Sequence, residues 1–258
     1  MRKKVGLALS GGAARGFAHL GVLKVLVENK IPIDYVAGTS AGSVVGSAFA
    51  TGLSIEKIIE LGKKMSWYKM TGLSYSTKGL LSNASMGKFF QENYPFSRFE
   101  DLPIPFAAVA TDLESGEEVI LSENGDLISA IQASCAIPGI FKPIVSDGKQ
   151  LIDGGVVAAV PTNAVKKLGA EIVIAVDVIS CGATYWGTPT TLVGIVFQSM
   201  MMLLRAASKS HHVQADVVII PQIAHLRPDE IGKMDEYIQL GEDAARSKID
   251  EIKTLIKD

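Results

Sequence analysis

The stretch "VAGTSAGSVV", Val36 to Val45, sets Gly38-Thr39-Ser40-Ala41-Gly42 between two patterns of different kind. Ahead of it, Tyr35 to Ala37 reads as a short buried strand. Behind it, Ala41 to Ala50 is a run of small residues that suits a helix. A G-x-S-x-G at such a junction puts the serine on a sharp strand-to-helix turn, because the two glycines have no Cβ to keep the elements apart. The helix starting at Ala41 aims its positive N-terminal end at Ser40 and favours negative charge on that oxygen. A serine hydroxyl attacks only when a base accepts its proton. The rest of the chain must supply that base.

Upstream, Val5 to Leu9 reads as another buried strand, broken by Gly11 and Gly12, and a helical pattern follows from about 14 to 28 with Phe17, Leu20, Leu23, Val25 and Val27. Two strand-turn-helix units in succession predict parallel strands joined by right-handed crossovers. Downstream the pattern predicts a helix over 54–64, then an aperiodic segment over 66–84. Trp67, Tyr68, Met70 and Tyr75 mark that segment as a surface loop or a flap over an apolar cleft. Strands over 104–111 and 119–121 form a hairpin through "DLESGEE". A helix from Ile128, an irregular Pro/Gly passage and a strand ending at Asp153 come next. Pro161 opens a helix that Gly169 closes. Strands in "AEIVIAVDV" and "ADVVIIP" flank a Met-rich helix, and an amphipathic helix runs over 232–256. The chain is expected to form one α/β domain over 1–258.

With 25 basic against 27 acidic residues the net charge is -2, so no basic field is available for nucleic acid. Cys135 and Cys181 form no C-x-x-C pair and are expected to be reduced thiols, without a metal site or disulfide framework. Arg2, Lys3 and Lys4 imitate a signal-peptide start, but the apolar run Val5 to Leu9 falls short of the roughly 7–15 residues export needs. A cytoplasmic location is expected. The apolar window 191–210 contains Gln198, Ser199 and Arg205 and falls short of the ~20 apolar residues of a membrane span. Membrane contact, if it occurs, is expected to be peripheral, through Trp67, Tyr68 and Met70.

"SGGAARG", Ser10 to Gly16, follows a strand and opens a helix, so its N–H groups converge on an anion. Phe17 occupies the place of a phosphate-binding lysine, and Ala13 that of the second glycine of a dinucleotide loop. No nucleotide cofactor is therefore expected. An oxyanion hole for acyl transfer fits better, with Arg15 holding the loop through backbone carbonyls. For the base, His211 and His212 stand at a helix end, His225 in a loop and His19 inside the first helix, all places of structural duty. No lysine is marked for the role. Asp153, at the end of an apolar strand and followed by two glycines, presents a carboxylate on tightly turned backbone.

"SGGAARG", "GTSAGS" and "DGG" in this order, with "ASCAIPGIFKP" and "VPTNAVKKLGAEIVIAVDV", make residues 4–180 resemble the patatin-like phospholipase family, close to its bacterial members and to the catalytic domain of neuropathy target esterase. The resemblance implies a three-layer sandwich with a central, mostly parallel sheet between helices. It also implies an acyl-ester hydrolase of phospholipids, lysophospholipids or acylglycerols that uses a Ser-Asp dyad and needs no metal. By position, Ser40 becomes the nucleophile and Asp153 the base, with Gly11, Gly12, Ala13 and Arg15 forming or bracing the oxyanion hole. The family loop often reads G-G-G-x-R-G. Here Ala13 replaces the third glycine; alanine retains its N–H, and the donor survives if the local φ is negative, whereas a strained φ > 0 there would compromise it. Substrate-lining residues are expected from 66–84 and from beyond 180, with Met200, Met201 and Met202 as candidates. A catalytically weak lipid-binding module of the same fold is the competing reading.

Overall fold

A short apolar run between Lys4 and Ser10 forms β1 (Val5–Leu9), buried at every residue. In the computed structural model, which describes residues 2–65, 72–76, 79–181 and 187–257, the expected alternation of strand and helix continues from there. A 3-10 turn over Ala13–Phe17 precedes α1 (Ala18–Glu28), where a continuous helix from about 14 was expected. Then follow β2 (Tyr35–Thr39), α2 (Ala41–Ala50) and α3 (Ile55–Lys64). The segment read as a loop contains a hairpin, β3 (Gly72–Ser76) with β4 (Gly79–Ser82), paired antiparallel. Trp67, Tyr68 and Met70 lie outside the described residues.

Next come α4 (Ala84–Asn93), β5 (Phe106–Asp112), β6 (Glu118–Leu121) and α5 (Leu127–Ser134). They are followed by β7 (Ile144–Ser146), β8 (Lys149–Asp153), α6 (Thr162–Lys167) and β9 (Ile172–Val176). The chain continues through α7 (Leu192–His211) and β10 (Val217–Ile219). The expected last helix is divided into α8 (Met234–Arg246) and α9 (Ile249–Lys257).

The strands form one mixed, mostly parallel sheet. Pairings run β10-β9-β1-β2-β5-β8-β7, with β6 also on β5. All steps from β10 to β5 are parallel, and β6, β7 and β8 add antiparallel pairs. Helices cover both faces, which explains why the central strands are apolar throughout and do not alternate. Along β1, Val5, Leu7 and Leu9 join a large cluster with Leu20, Leu23 and Tyr237 on α1 and α8. Ala8 faces the other way, with Ala37, Ala107, Ala175 and Val165 on α6. Small side chains on that second face let α6 and the segment before it approach closely.

The layer holding α1 and α8 is fixed by contact between their backbones. A Cβ added at Gly21 would stand 1.9 Å from the Ile238 carbonyl oxygen, and one at Gly241 would stand 2.0 Å from that of Ala18. Nothing larger than hydrogen fits at either crossing point. Gly241→Ala is therefore expected to cost roughly 3 kcal/mol, the upper end for overpacking, and to lower the thermal midpoint by about 6–12 °C. An unchanged midpoint in a calorimetric scan would show that the two helices can slide apart freely.

Candidate active site

The register on β5 decides which residues meet. β2 pairs with Phe106 through Val109, β6 with Ala108 through Thr111, and β8 with Ala110 through Asp112. Because β6 overlaps both of the others, β2 and β8 must share the opposite edge of β5. They run towards each other and end there, Thr39 beside Val109 and Asp153 beside Ala110. Ser40 is the next residue after Thr39. Two motifs more than a hundred residues apart therefore meet head-on.

The elbow at Ser40 is strained. Ser40 takes φ 50 and ψ -121, in the left-handed region that non-glycine residues seldom enter. Its neighbours have no choice of size, since a Cβ on Gly42 would lie 2.1 Å from the Leu9 carbonyl oxygen. Tertiary hydrogen bonds hold the strained residue. The Ser40 N–H donates to the Ser134 hydroxyl at 2.9 Å, and that hydroxyl donates to the Val109 carbonyl at 2.6 Å. The Ser40 carbonyl accepts from the Ser43 hydroxyl at 2.7 Å. Ser134 is fully buried and ends α5. The sequence offered no sign of its role beyond its place in "ASCAIPG".

The glycine loop lies against the elbow, with the Cβ direction of Gly11 pointing 3.4 Å from Ser40 Cβ. The Gly11 N–H donates to the Ala159 carbonyl at 3.1 Å, and the Thr39 hydroxyl donates to the Ala158 carbonyl at 2.8 Å. The chain leaving Asp153 thus fastens both motifs together. The Ala14 N–H is taken by the Pro228 carbonyl and that of Arg15 by Gly12. The N–H groups of Gly12 and Ala13 meet no acceptor among the described residues. Of the two alternatives for Ala13 the structure has the strained one: its φ is +51, after Gly12 at +148. Alanine in that region costs roughly 1–2 kcal/mol, which the surrounding hydrogen bonds sustain, and its N–H survives. Arg15 is fully buried and donates to the Leu226 carbonyl through Nε at 3.3 Å and Nη2 at 3.0 Å. It braces the loop from behind.

Asp153 is buried, and its Oδ1 accepts the Gly155 N–H at 2.8 Å. Burial pushes its carboxyl from the ordinary 3.8 up to about 6, while hydrogen bonds from the Ser40 side chain and the Gly155 amide oppose the rise. None of the histidines takes the place beside Ser40. His19 is buried, held neutral by desolvation with its pKa near 4, and bonds the Ser10 carbonyl at 2.9 Å. His212 pairs with Asp177 at 2.7 Å and His225 with Glu236 at 3.0 Å. His211 contributes its backbone carbonyl to Thr162.

From Ser40 and Ala13 a cavity of about 160 Å³ extends between α1, α2, α3 and α4. Its wall is apolar, with Leu20, Ala48, Leu61, Phe89 and Phe90 among its residues. Of the expected lining, residues 66–80 and 182–186 lie outside the described side chains; of those described, none from 81–84 lines the cavity and Ile231 alone comes from beyond 180. Met201 is packed in the core and Met202 faces outward. The residues missed are on α4, where Met86, Phe89 and Phe90 recur at the i, i+3, i+4 spacing of a helix.

The family model described as "Patatin-like phospholipase" matches residues 7–166. An uncharacterized NTE family protein of Mycobacterium bovis is 37% identical over 177 residues, covering 67% of this chain and 49% of that protein. The lysophospholipase NTE1 of Pyricularia oryzae is 28% identical over 269 residues, covering 93% of this chain and 18% of its own length. The chain thus spans half or less of these relatives. The crystal structure of VipD from Legionella pneumophila superposes with a TM-score of 0.67 at 15% identity, over 97% of this chain and 67% of that one, a likeness of fold.

Raising a carboxyl from 3.8 to about 6 corresponds to roughly 3 kcal/mol of penalty on its ionised form. The folded state binds this proton more tightly than the unfolded one, so the contribution is full below the unfolded value and fades as pH rises from about 4 to 6. Asp153→Asn, which removes the buried charge, is accordingly expected to raise the thermal midpoint at pH 8 and to raise it much less at pH 4. A gain that is equal at both pH values would sink this account of the carboxyl.

Proposed function

The chain belongs to the patatin-like phospholipase family, and on that footing we propose that it is a lipid acyl-ester hydrolase of phospholipase A or lysophospholipase type. One observation carries the reading: Ser40, at the end of an apolar cavity, follows the strand end that meets the end of β8 on β5, where the buried Asp153 carboxyl is pushed up to about 6. In water a carboxylate is too weak a base to activate a serine. A pKa near 6 brings Asp153 closer to the operating pH, where proton transfer is efficient.

In this mechanism Asp153 takes the proton of Ser40 as the hydroxyl attacks the ester carbonyl. The oxyanion accepts hydrogen bonds from the Gly12 and Ala13 N–H groups, left free by a loop that Gly11 and Arg15 brace. The protonated Asp153 gives its proton to the departing alcohol. It then accepts a proton from the water that attacks the acyl-serine, and returns that proton to the Ser40 oxygen as its bond to the acyl carbon breaks and the fatty acid leaves. The acyl chain occupies the apolar cavity, where each buried methylene contributes about 0.8 kcal/mol. A binding module without activity would have no use for a serine held at φ 50, whose strain serves an exposed nucleophile.

Ser40→Ala and Asp153→Asn are each expected to lower kcat on a fatty-acyl ester by about 10³-fold or more, and kcat/KM of the intact chain should rise with pH through about 6. A serine-directed phosphonate should label Ser40 alone, as read by mass spectrometry of the protein and its peptides. Full activity in either variant removes the dyad. Ala48→Phe, which fills the cavity, should shift the preference towards short acyl chains by about fourfold per excluded methylene; an unaltered chain-length profile would place the acyl chain elsewhere.

A further inference from the structure

Helix α7 is apolar on both sides. Met201, Leu204 and Ser208 face inward and are buried. On the opposite side, Leu192, Ile195, Ser199, Met202, Leu203 and Ala206 fall in one stripe at helical spacing. Leu192 is 73% exposed, Leu203 72%, Met202 59% and Ile195 49%. By length and composition this is the one helix among the described residues apolar enough to cross a membrane, with mean hydropathy 1.2 over its most apolar window, although 198, 199 and 205 argued otherwise in the sequence. With its inner face packed against the protein, its outer face is free to lie along an apolar–polar boundary.

The inner face touches the site. A Leu204 methyl stands 2.6 Å from where a Gly155 Cβ would be, against the turn that carries Asp153. Phe197 and Met200 pack on the cluster of Ile137 and Phe141, and those two residues line the cavity. The apolar stripe is therefore continuous, through one helix, with the wall of the acyl cavity.

Charge identifies the occupant. The chain has no Asp or Glu from 178 through 215, while α7 carries Arg205 and Lys209. A second copy of the same face would bring these cations no carboxylate, and isologous pairing requires self-complementarity. An anionic lipid headgroup layer supplies the opposite charge and the apolar boundary together.

We propose that the outward stripe of α7 docks the protein on an anionic phospholipid membrane, with the helix lying in the headgroup boundary and the cavity held next to its substrate. This rests on the reading of the chain as a lipid hydrolase for its purpose, though not for its measurement.

The intact chain is tested by co-sedimentation with vesicles of phosphatidylcholine containing phosphatidylglycerol, and with vesicles of phosphatidylcholine alone. Binding to the anionic vesicles should be stronger and should weaken with salt. Ile195→Glu combined with Leu203→Glu, both at exposed positions, should weaken binding at least tenfold, since one such side chain contributes that much on burial. Turnover of vesicle phospholipid should fall in step, while turnover of a short, soluble ester stays within twofold of the parent. Lys209→Glu alone should reduce only the preference for anionic vesicles. The proposal is overturned if the double variant binds vesicles like the parent. It is overturned equally if the parent sediments as a dimer in solution that the double variant splits into monomers. A parent that binds vesicles through this face yet cleaves neither substrate would support the docking surface and refute the hydrolase reading.

Discussion

Val109 and Ala110, adjacent residues on β5, hold the ends of two strands that approach from opposite directions. The remaining features of the site follow from that shared edge. β2 must stop at Thr39 because β8 occupies the next positions, so the chain has to turn, and it turns at Ser40. For the same reason β8 stops at Asp153, where a Cβ on Gly154 would lie 2.2 Å from the Val109 carbonyl oxygen. A ladder of backbone hydrogen bonds is far stiffer than a pair of side-chain rotamers. The separation of the backbone at Thr39 and at Asp153 is thereby set by the sheet.

Two backbone conformations that L-residues avoid, at Ser40 and Ala13, line the same cavity. Each is sustained by bonds from elsewhere in the chain: the Ser134 hydroxyl on the Ser40 amide, the Ala159 carbonyl on the Gly11 amide, and the Leu226 carbonyl on the buried Arg15. The same enclosure that supports the strain desolvates Asp153. Strain, free amide donors and a raised carboxyl are three consequences of packing the chain that leaves β8 over the elbow.

Beyond the elbow the molecule sorts apolar surface into three destinations. One part fills the core between sheet and helices, another lines the cavity between α2, α3 and α4, and a third remains outward on α7. Residues next to one another in sequence go to different destinations: Met201 to the core and Met202 to the outer stripe. Helical periodicity separates them by about 100° of rotation, enough to change the environment completely.

Local chemistry made much of this protein legible in advance. Buried strands at Val5–Leu9 and Tyr35–Thr39, the elbow glycines around Ser40, the turn after Asp153 and the absence of a lysine in the glycine loop all act over a few residues, so spacing alone revealed them. The pairing of Ser40 with Asp153 was suggested by a family resemblance and by the poor placement of the histidines. Its physical basis, a common edge on β5, is a register that no local pattern encodes. The φ of Ala13, the clamp by Ser134, the wall of Met86, Phe89 and Phe90, and the outward face of α7 were not legible for the same reason. Each depends on which distant segment lies opposite, and only the folded chain decides that.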